Sequence, residues 1–266
     1  MTQTKTRKSK SPTLKGVTRA LDVLDYVATN PGRAIDLAEG LNVSWATLHR
    51  TLSQLEAKGF LNREAGSNRY TIGPRMWLIG TSYLADHTVL EAALPYLSSV
   101  AENSAFTVQL TERSDRMAVV LYSRDRTGQE ITQATYGYHF PLHCGSKGQI
   151  LLAYANQESI DDYLAGDLER LTAETITDAD ALRLVLEQIR VDGYRLTQRD
   201  VQPHTGSVAA PVFNRDGVVI ASISFISRYS YFDDEGDLHE TVDTLIQAAH
   251  SASMAIGWKP GKISTL

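Results

Sequence analysis

The chain has 266 residues, a formal net charge of −5 and a single cysteine, Cys144. One thiol excludes an intramolecular disulfide and a cysteine-based zinc site within one chain, and without a run of about 18 apolar residues an ordinary transmembrane helix is excluded too. The average charge hides a division: residues 1–75 carry 12 Lys+Arg against 6 Asp+Glu, and the remainder carries 14 against 25, the asymmetry expected when only one half meets DNA.

Residues 1–11 are basic and lack an apolar core, so they read as a disordered tail and not as a secretory signal, which points to a cytoplasmic protein. A helix follows over about 14–28, with Val17, Ala20, Leu21, Leu24 and Val27 as its apolar face. A short helix over 35–39 is expected to stop at Gly40 in a conformation costly to other residues, and Leu41 and Val43 pack the turn. Ser44 suits an N-cap whose hydroxyl satisfies an open amide, and a second helix runs over 45–58 to Gly59. Leu48, Leu52 and Leu55 form one buried stripe along it, which leaves Trp45, Thr47, His49, Arg50, Ser53 and Gln54 on the other faces. This is the layout of a helix-turn-helix whose second helix enters the major groove; an ordinary αα-hairpin in a core is the alternative.

The next segment favours DNA. Residues 60–63 and 69–72 read as two strands around a turn containing Gly66, which makes a wing that sets Arg63 and Arg69 against phosphate. A winged helix-turn-helix spanning 12–73 results, with Ser44, Trp45, Thr47, His49, Arg50, Ser53, Arg63 and Arg69 as its candidate DNA contacts.

Residues 74–88 form a linker. Pro74 opens a helix over 74–85 whose stripe of Met76, Ile79, Tyr83 and Leu84 is expected to pack on a second copy of the chain, or else within its own monomer. Residues 89–260 form the second domain. It opens with a helix over 89–103 and a half-buried strand carrying Phe106, Val108 and Leu110, then a central strand over 117–122 and a third over 129–136. Helices follow over 146–155, 156–165 and 178–192, the last capped by Thr177. A short strand over 194–197, a hairpin of 207–213 with 218–226, and a final helix over 237–256 complete the domain. Alternating strands and helices give an α+β chain overall.

Catalytic signals are weak: there is no glycine-rich phosphate loop after a strand and no serine nucleophile elbow. His139, His143 and Cys144 cluster in sequence, but such spacing arises by chance, and no metal, cofactor or catalytic residue is expected. The Gly145-Ser146-Lys147-Gly148 turn opens an apolar helix where amides converge without intrahelical partners, which suits a carboxylate or phosphate; a plain glycine turn is the alternative.

Over about residues 12–258 the chain resembles the IclR family of bacterial transcription regulators. The matching segments are Arg19-Ala20-Leu21-Asp22-Val23-Leu24, residues 48–56 of the second short helix, Tyr70-Thr71-Ile72-Gly73, and Pro141-Leu142-His143. Thr175-Ile176-Thr177-Asp178, Arg190-Val191-Asp192-Gly193-Tyr194 and Val208-Ala209-Ala210-Pro211-Val212 continue the pattern. The resemblance implies a winged helix-turn-helix joined by a helix to a GAF-like effector-binding domain. It also implies dimers, often paired into tetramers, on near-palindromic double-stranded operators, and a small organic or aromatic acid as effector. The family's pocket amides fall at Ser146 and Lys147, beside Gly145, and two further pocket positions fall at Thr197 and Ser207. Where relatives that bind very small keto acids carry an acid and a cysteine, this chain has those two neutral hydroxyls. The family's Gly-Lys is Gly148-Gln149 here, with the lysine at 147. Tyr136, Tyr138 and Phe140 lead into the pocket loop and widen it toward an aromatic acid, unless they are core.

These features describe a non-enzymatic, effector-responsive DNA-binding regulator of a catabolic operon, with no membrane partner. The alternative is a small-molecule sensor or enzyme whose N-terminal module binds a protein instead of DNA.

Overall fold

The computed structural model describes residues 15–85, 87–104, 106–124, 137–261 and 263. The basic tail, the strand expected over 129–136 and Tyr136 lie outside them. The chain divides into two compact units, Met1–Asp86 and His87–Leu266.

The first unit runs α1 (Lys15–Thr29), β1 (Gly32–Arg33), α2 (Ala34–Gly40), α3 (Trp45–Ala57), β2 (Leu61–Arg63), β3 (Arg69–Ile72) and α4 (Pro74–Ala85). The strands form an antiparallel sheet in the order β1-β3-β2. Its core joins Val23, Leu24 and Val27 of α1 to Leu37 of α2, Leu48 and Leu52 of α3, and Leu61 and Tyr70 of the wing. Val17 and Leu21, expected on the buried face of α1, are instead 55% and 56% exposed. The arc of α1 that meets α3 and β3 centres on Val23 and Val27, and those two residues lie beyond its edge.

Two turn expectations need correction. Gly40 keeps helical backbone and is the last residue of α2; the left-handed residue of the turn is Asn42, at φ 51°. Gly40 is small for another reason: a Cβ there would overlap the phenol of Tyr26. Ser44 does sit at the N-cap of α3, yet its hydroxyl makes no capping bond. It pairs instead with Thr47 Oγ1 at 2.9 Å.

The second unit opens with α5 (Thr88–Asn103), followed by β4 (Thr107–Ser114), β5 (Met117–Arg124) and β6 (His139–Pro141). Helices α6 (Gly145–Ala153), α7 (Gln157–Leu164) and α8 (Ala179–Asp192) precede β7 (Arg195–Gln198), β8 (Thr205–Phe213) and β9 (Val219–Arg228). A 3-10 turn, Tyr229–Asp233, leads into α9 (Glu235–Ala255). Six strands form one antiparallel sheet in the order β6-β5-β4-β9-β8-β7. Helices α5 and α9 cover one face around Leu97, Phe225 and Leu245. The other face carries α6, with α7 and α8 packed beyond it around Ile150, Leu152 and Leu186.

Cover on both faces buries β4 from Thr107 to Thr111, where a half-buried strand was expected. Thr107, Gln109 and Thr111, which alternate with Val108 and Leu110, are 3%, 0% and 0% exposed under α6. The N-cap of α8 is Asp178 and not Thr177: its carboxylate accepts from the Ala181 amide at 2.8 Å, while the Thr177 hydroxyl accepts from Arg170. Among the described residues no helix is long and apolar enough to cross a membrane.

Candidate functional site

Two surfaces gather the residues singled out in the sequence, one in each unit. In the first, Leu48 and Leu52 press α3 into the core, and this orientation decides what faces outward. Arg50 lies about two residues' rotation from Leu48, on the opposite side of the helix, and is exposed without a hydrogen bond or ion pair among the described residues. Ser53 and Gln54 are exposed beside it. On the flank of α3, Trp45 is 56% exposed and its ring stacks on His49 at 4.8 Å. That contact makes a rigid apolar shoulder from one turn of helix. Thr47 is half-buried and tied to Ser44.

The wing is braced by the arginines that were expected to reach for phosphate. Arg63 donates to Asn68 Oδ1 at 2.7 Å across the hairpin. Arg69 donates to the Pro31 carbonyl at 2.8 Å, pinning the wing's root to the segment after α1. Both remain exposed, so each guanidinium has donors to spare for an anion.

In α4 no residue is buried: Trp77, Ile79 and Tyr83 are 69%, 50% and 58% exposed. Met76 alone of the expected stripe packs against the core of its unit. The helix thus presents a large exposed apolar face.

In the second unit the N-terminus of α6 lies over the sheet. Gly145 takes φ +66°, and a Cβ there would come within 2.8 Å of Val201. At Gly148 a Cβ would come within 2.6 Å of the Leu142 carbonyl, so only glycine allows this close approach. The amides that open the helix have partners, but these are side chains from distant strands. The Gly145 amide donates to Asp200 Oδ2 at 2.8 Å, and the Ser146 amide donates to Thr197 Oγ1 at 3.0 Å. Ser146 Oγ and Ser207 Oγ are 2.7 Å apart.

Thr197 and Ser207, placed near the turn by the resemblance, do face it. They are register partners on β7 and β8. Lys147 is turned inward, 5% exposed, with its ammonium nitrogen hydrogen-bonded to Gln109 Oε1 and 5.1 Å from the Phe140 ring centre. Burial pulls its amine down to about 7. A cavity of about 30 Å³ lies here, walled by Gly145, Lys147, Tyr138, Thr205, Ser207 and Ile226, among others. That is roughly the volume of one water, so an aromatic ring has no room in this arrangement.

Sequence reasoning missed the polar frame behind the turn. Asp200 is 4% exposed, and its Oδ1 has no hydrogen-bond partner in the structure. Burial raises its carboxyl to about 6, and the Gly145 amide and nearby Arg195 work against that rise. Gln149 donates to Asp200 and to the His143 carbonyl, and accepts from Arg195 Nε at 2.7 Å. Nothing local marks Asp200, which lies 55 residues from its partner. Gln109 had a signal: polar residues at 107, 109 and 111 alternate with Val108 and Leu110, which marks a second face of the strand.

His143 is structural. Its ring bonds the Tyr163 hydroxyl at 2.9 Å and the Glu169 carbonyl at 2.9 Å, and burial lowers its pKa. Cys144 is buried with its thiol pushed well above the ordinary value. Among the described residues no group of histidines, cysteines and acids is arranged to hold a metal.

Comparison with known proteins agrees with this division. The model of the IclR helix-turn-helix domain matches residues 16–65, and that of the bacterial transcriptional regulator IclR C-terminal domain matches residues 81–254. An uncharacterised HTH-type transcriptional regulator of Haemophilus influenzae is 30% identical, over 97% of this chain and 98% of its own. The HTH-type transcriptional regulator BhcR of Paracoccus denitrificans is also 30% identical, over 91% and 88%. The crystal structure of an IclR transcriptional regulator from Alicyclobacillus acidocaldarius superposes with a TM-score of 0.79 at 27% identity, covering 92% of this chain and 99% of that one.

Proposed function

The chain belongs to the IclR family of DNA-binding transcription regulators, and on that premise we propose that it is a cytoplasmic homodimer, or a pair of dimers, that binds a near-palindromic operator. Helix α3 enters the major groove with Arg50 and Ser53 foremost, and Trp45 and His49 form its shoulder. Ser44 and Thr47 lie at the start of the helix, nearest the phosphates, and Arg63 and Arg69 follow the backbone from the wing. The observation that carries this reading is the unpartnered, exposed Arg50 opposite the buried Leu48. The second unit is an effector-binding domain, and its ligand is a small organic acid of a catabolic pathway. The carboxylate is received at the N-terminus of α6 by Gly145, Ser146 and Lys147, with Thr197 and Ser207 opposite. Tyr136 has no described position, and Tyr138 takes the aromatic wall of the cavity.

The test is a gel-shift titration against duplex from upstream of the gene at two salt concentrations, with and without candidate acids. Specific binding that weakens steeply with salt and responds to an acid is expected. Binding to no duplex overturns the reading.

A further inference from the structure

We infer that Lys147 Nζ is the cation that receives the effector's carboxylate, and that its amine takes up a proton as the carboxylate enters. The inference rests on the proposed acid site at the α6 turn and adds to it the charge partner and the proton balance.

The geometry isolates this amine. Helix α6 delivers Lys147 to the wall of the small cavity, where among the described residues its ammonium nitrogen bonds Gln109 Oε1 alone. The orientation of Gln109 is set by its own amide nitrogen, which donates to Ser123 Oγ at 3.1 Å. An ammonium carries three donors, and one neutral oxygen with a ring face beside it does not replace water for all three. Among the described residues no carboxylate pairs with Lys147, and burial alone acts on its proton affinity. A buried ammonium without a counter-charge is costly, so the empty site holds much of its lysine as the neutral amine at neutral pH. An entering carboxylate supplies the missing charge, and the pair then forms by drawing a proton from solvent.

The surrounding elements contribute no competing titration in that range. From β4 comes Gln109, from β6 Phe140, from β8 and β9 the hydroxyls of Ser207 and Ser222, and from β5 the apolar Ala118 and Val120. Arg195 of β7 is held by Gln149, and Arg190 of α8 by the carbonyls of Ala153 and Ala155. Tyr138 and Cys144 are raised by burial and stay neutral, and His143 is lowered and stays neutral. Asp200 sits on the Gly145 amide and changes charge at about 6, below the window in question.

The experiment is calorimetric titration of the full chain with acetate, pyruvate and benzoate as probes, at pH 8 in HEPES and in Tris, whose ionisation enthalpies differ. The expected result is a buffer-dependent heat equivalent to uptake of about one proton per acid bound. The apparent Kd should weaken about tenfold per pH unit from pH 8 to 9 and level off as pH falls through about 7 toward about 6.5, above the interval in which Asp200 titrates. Lys147→Met should abolish the buffer dependence and weaken binding tenfold or more. The proton count is read on the wild-type chain, so a variant that fails to fold leaves the test intact. A probe that binds with equal heats in both buffers overturns the inference and leaves the acid site standing. If none of the acids binds, the acid site falls with it, and DNA binding is judged separately.

Discussion

Ser146 Oγ and Ser207 Oγ lie 2.7 Å apart, so the first turn of α6 is hydrogen-bonded to the start of β8 beside the cavity. Replacing Ser207 with Leu fills that gap with a branched apolar group and removes the hydroxyl. The expected outcome is a regulator that still binds its operator within about twofold but whose DNA affinity no longer changes with acid. Linkage demands this: an effector that cannot bind cannot favour one state over another. Gel shifts with and without the acid that acts on the wild type decide it; a response at unchanged concentrations puts the site elsewhere.

Arg50→Ala should weaken operator binding by about 10- to 100-fold, the range of about 1–3 kcal/mol for a bidentate contact to guanine. Thermal unfolding should stay within about 0.5 kcal/mol of wild type, because Arg50 touches no described partner. Ordinary affinity in a gel-shift titration would remove Arg50 from the reading surface.

Ile79→Asp combined with Tyr83→Asp should give a chain that behaves as a smaller assembly by light scattering and loses operator affinity at protein concentrations where the wild type binds. Both positions are at least half exposed, so the unit itself should fold. An undiminished assembly would place the contact between copies elsewhere.

The pH dependence of stability follows from Lys147 and its sign is fixed. The amine is at 10.5 in the unfolded chain and about 7 when folded, so between these values the unfolded state holds the extra proton. Stability therefore rises with pH from about 7 to 10, by at most about 1.4 kcal/mol per unit from this group. Asp200 acts in the opposite sense lower down: its carboxyl, raised from 3.8 to about 6, makes stability fall as pH climbs through that interval. Denaturant melts at pH 7, 8 and 9 should show the rise in wild type and not in Lys147→Met.

Gly40→Ala tests the correction made at the end of α2. Alanine is ordinarily better than glycine in a helix, yet here its Cβ meets the Tyr26 phenol, and a loss of about 1–3 kcal/mol is expected. Tyr26→Phe in the same chain should recover part of that loss, since the hydroxyl is the nearest obstacle.

Legibility in the sequence tracked how local the cause was. The stripe of α3, the wing and the β8–β9 hairpin arise from spacing within a few residues, and all three were readable. The inward turn of Lys147 depends on Gln109, 38 residues away, and no local spacing reveals it. β1 is two residues long and has no periodicity to detect, and β6 has three. At Ser44 the hydroxyl had two partners within reach, and propensity does not say that Thr47 would win. Asp200 was invisible for the same reason that it matters: its role comes wholly from a contact across the fold.

The amides of Gly145 and Ser146 at the head of α6 are engaged by Asp200 and Thr197. On the proposed acid site, an incoming acid would gain only the difference between its own bonds and those it displaces, a threshold that weak, abundant anions would fail to cross. Both side chains that hold these amides belong to the stretch from β7 toward β8. Occupancy of the proposed acid site is a swap of partners at the Gly145 and Ser146 amides.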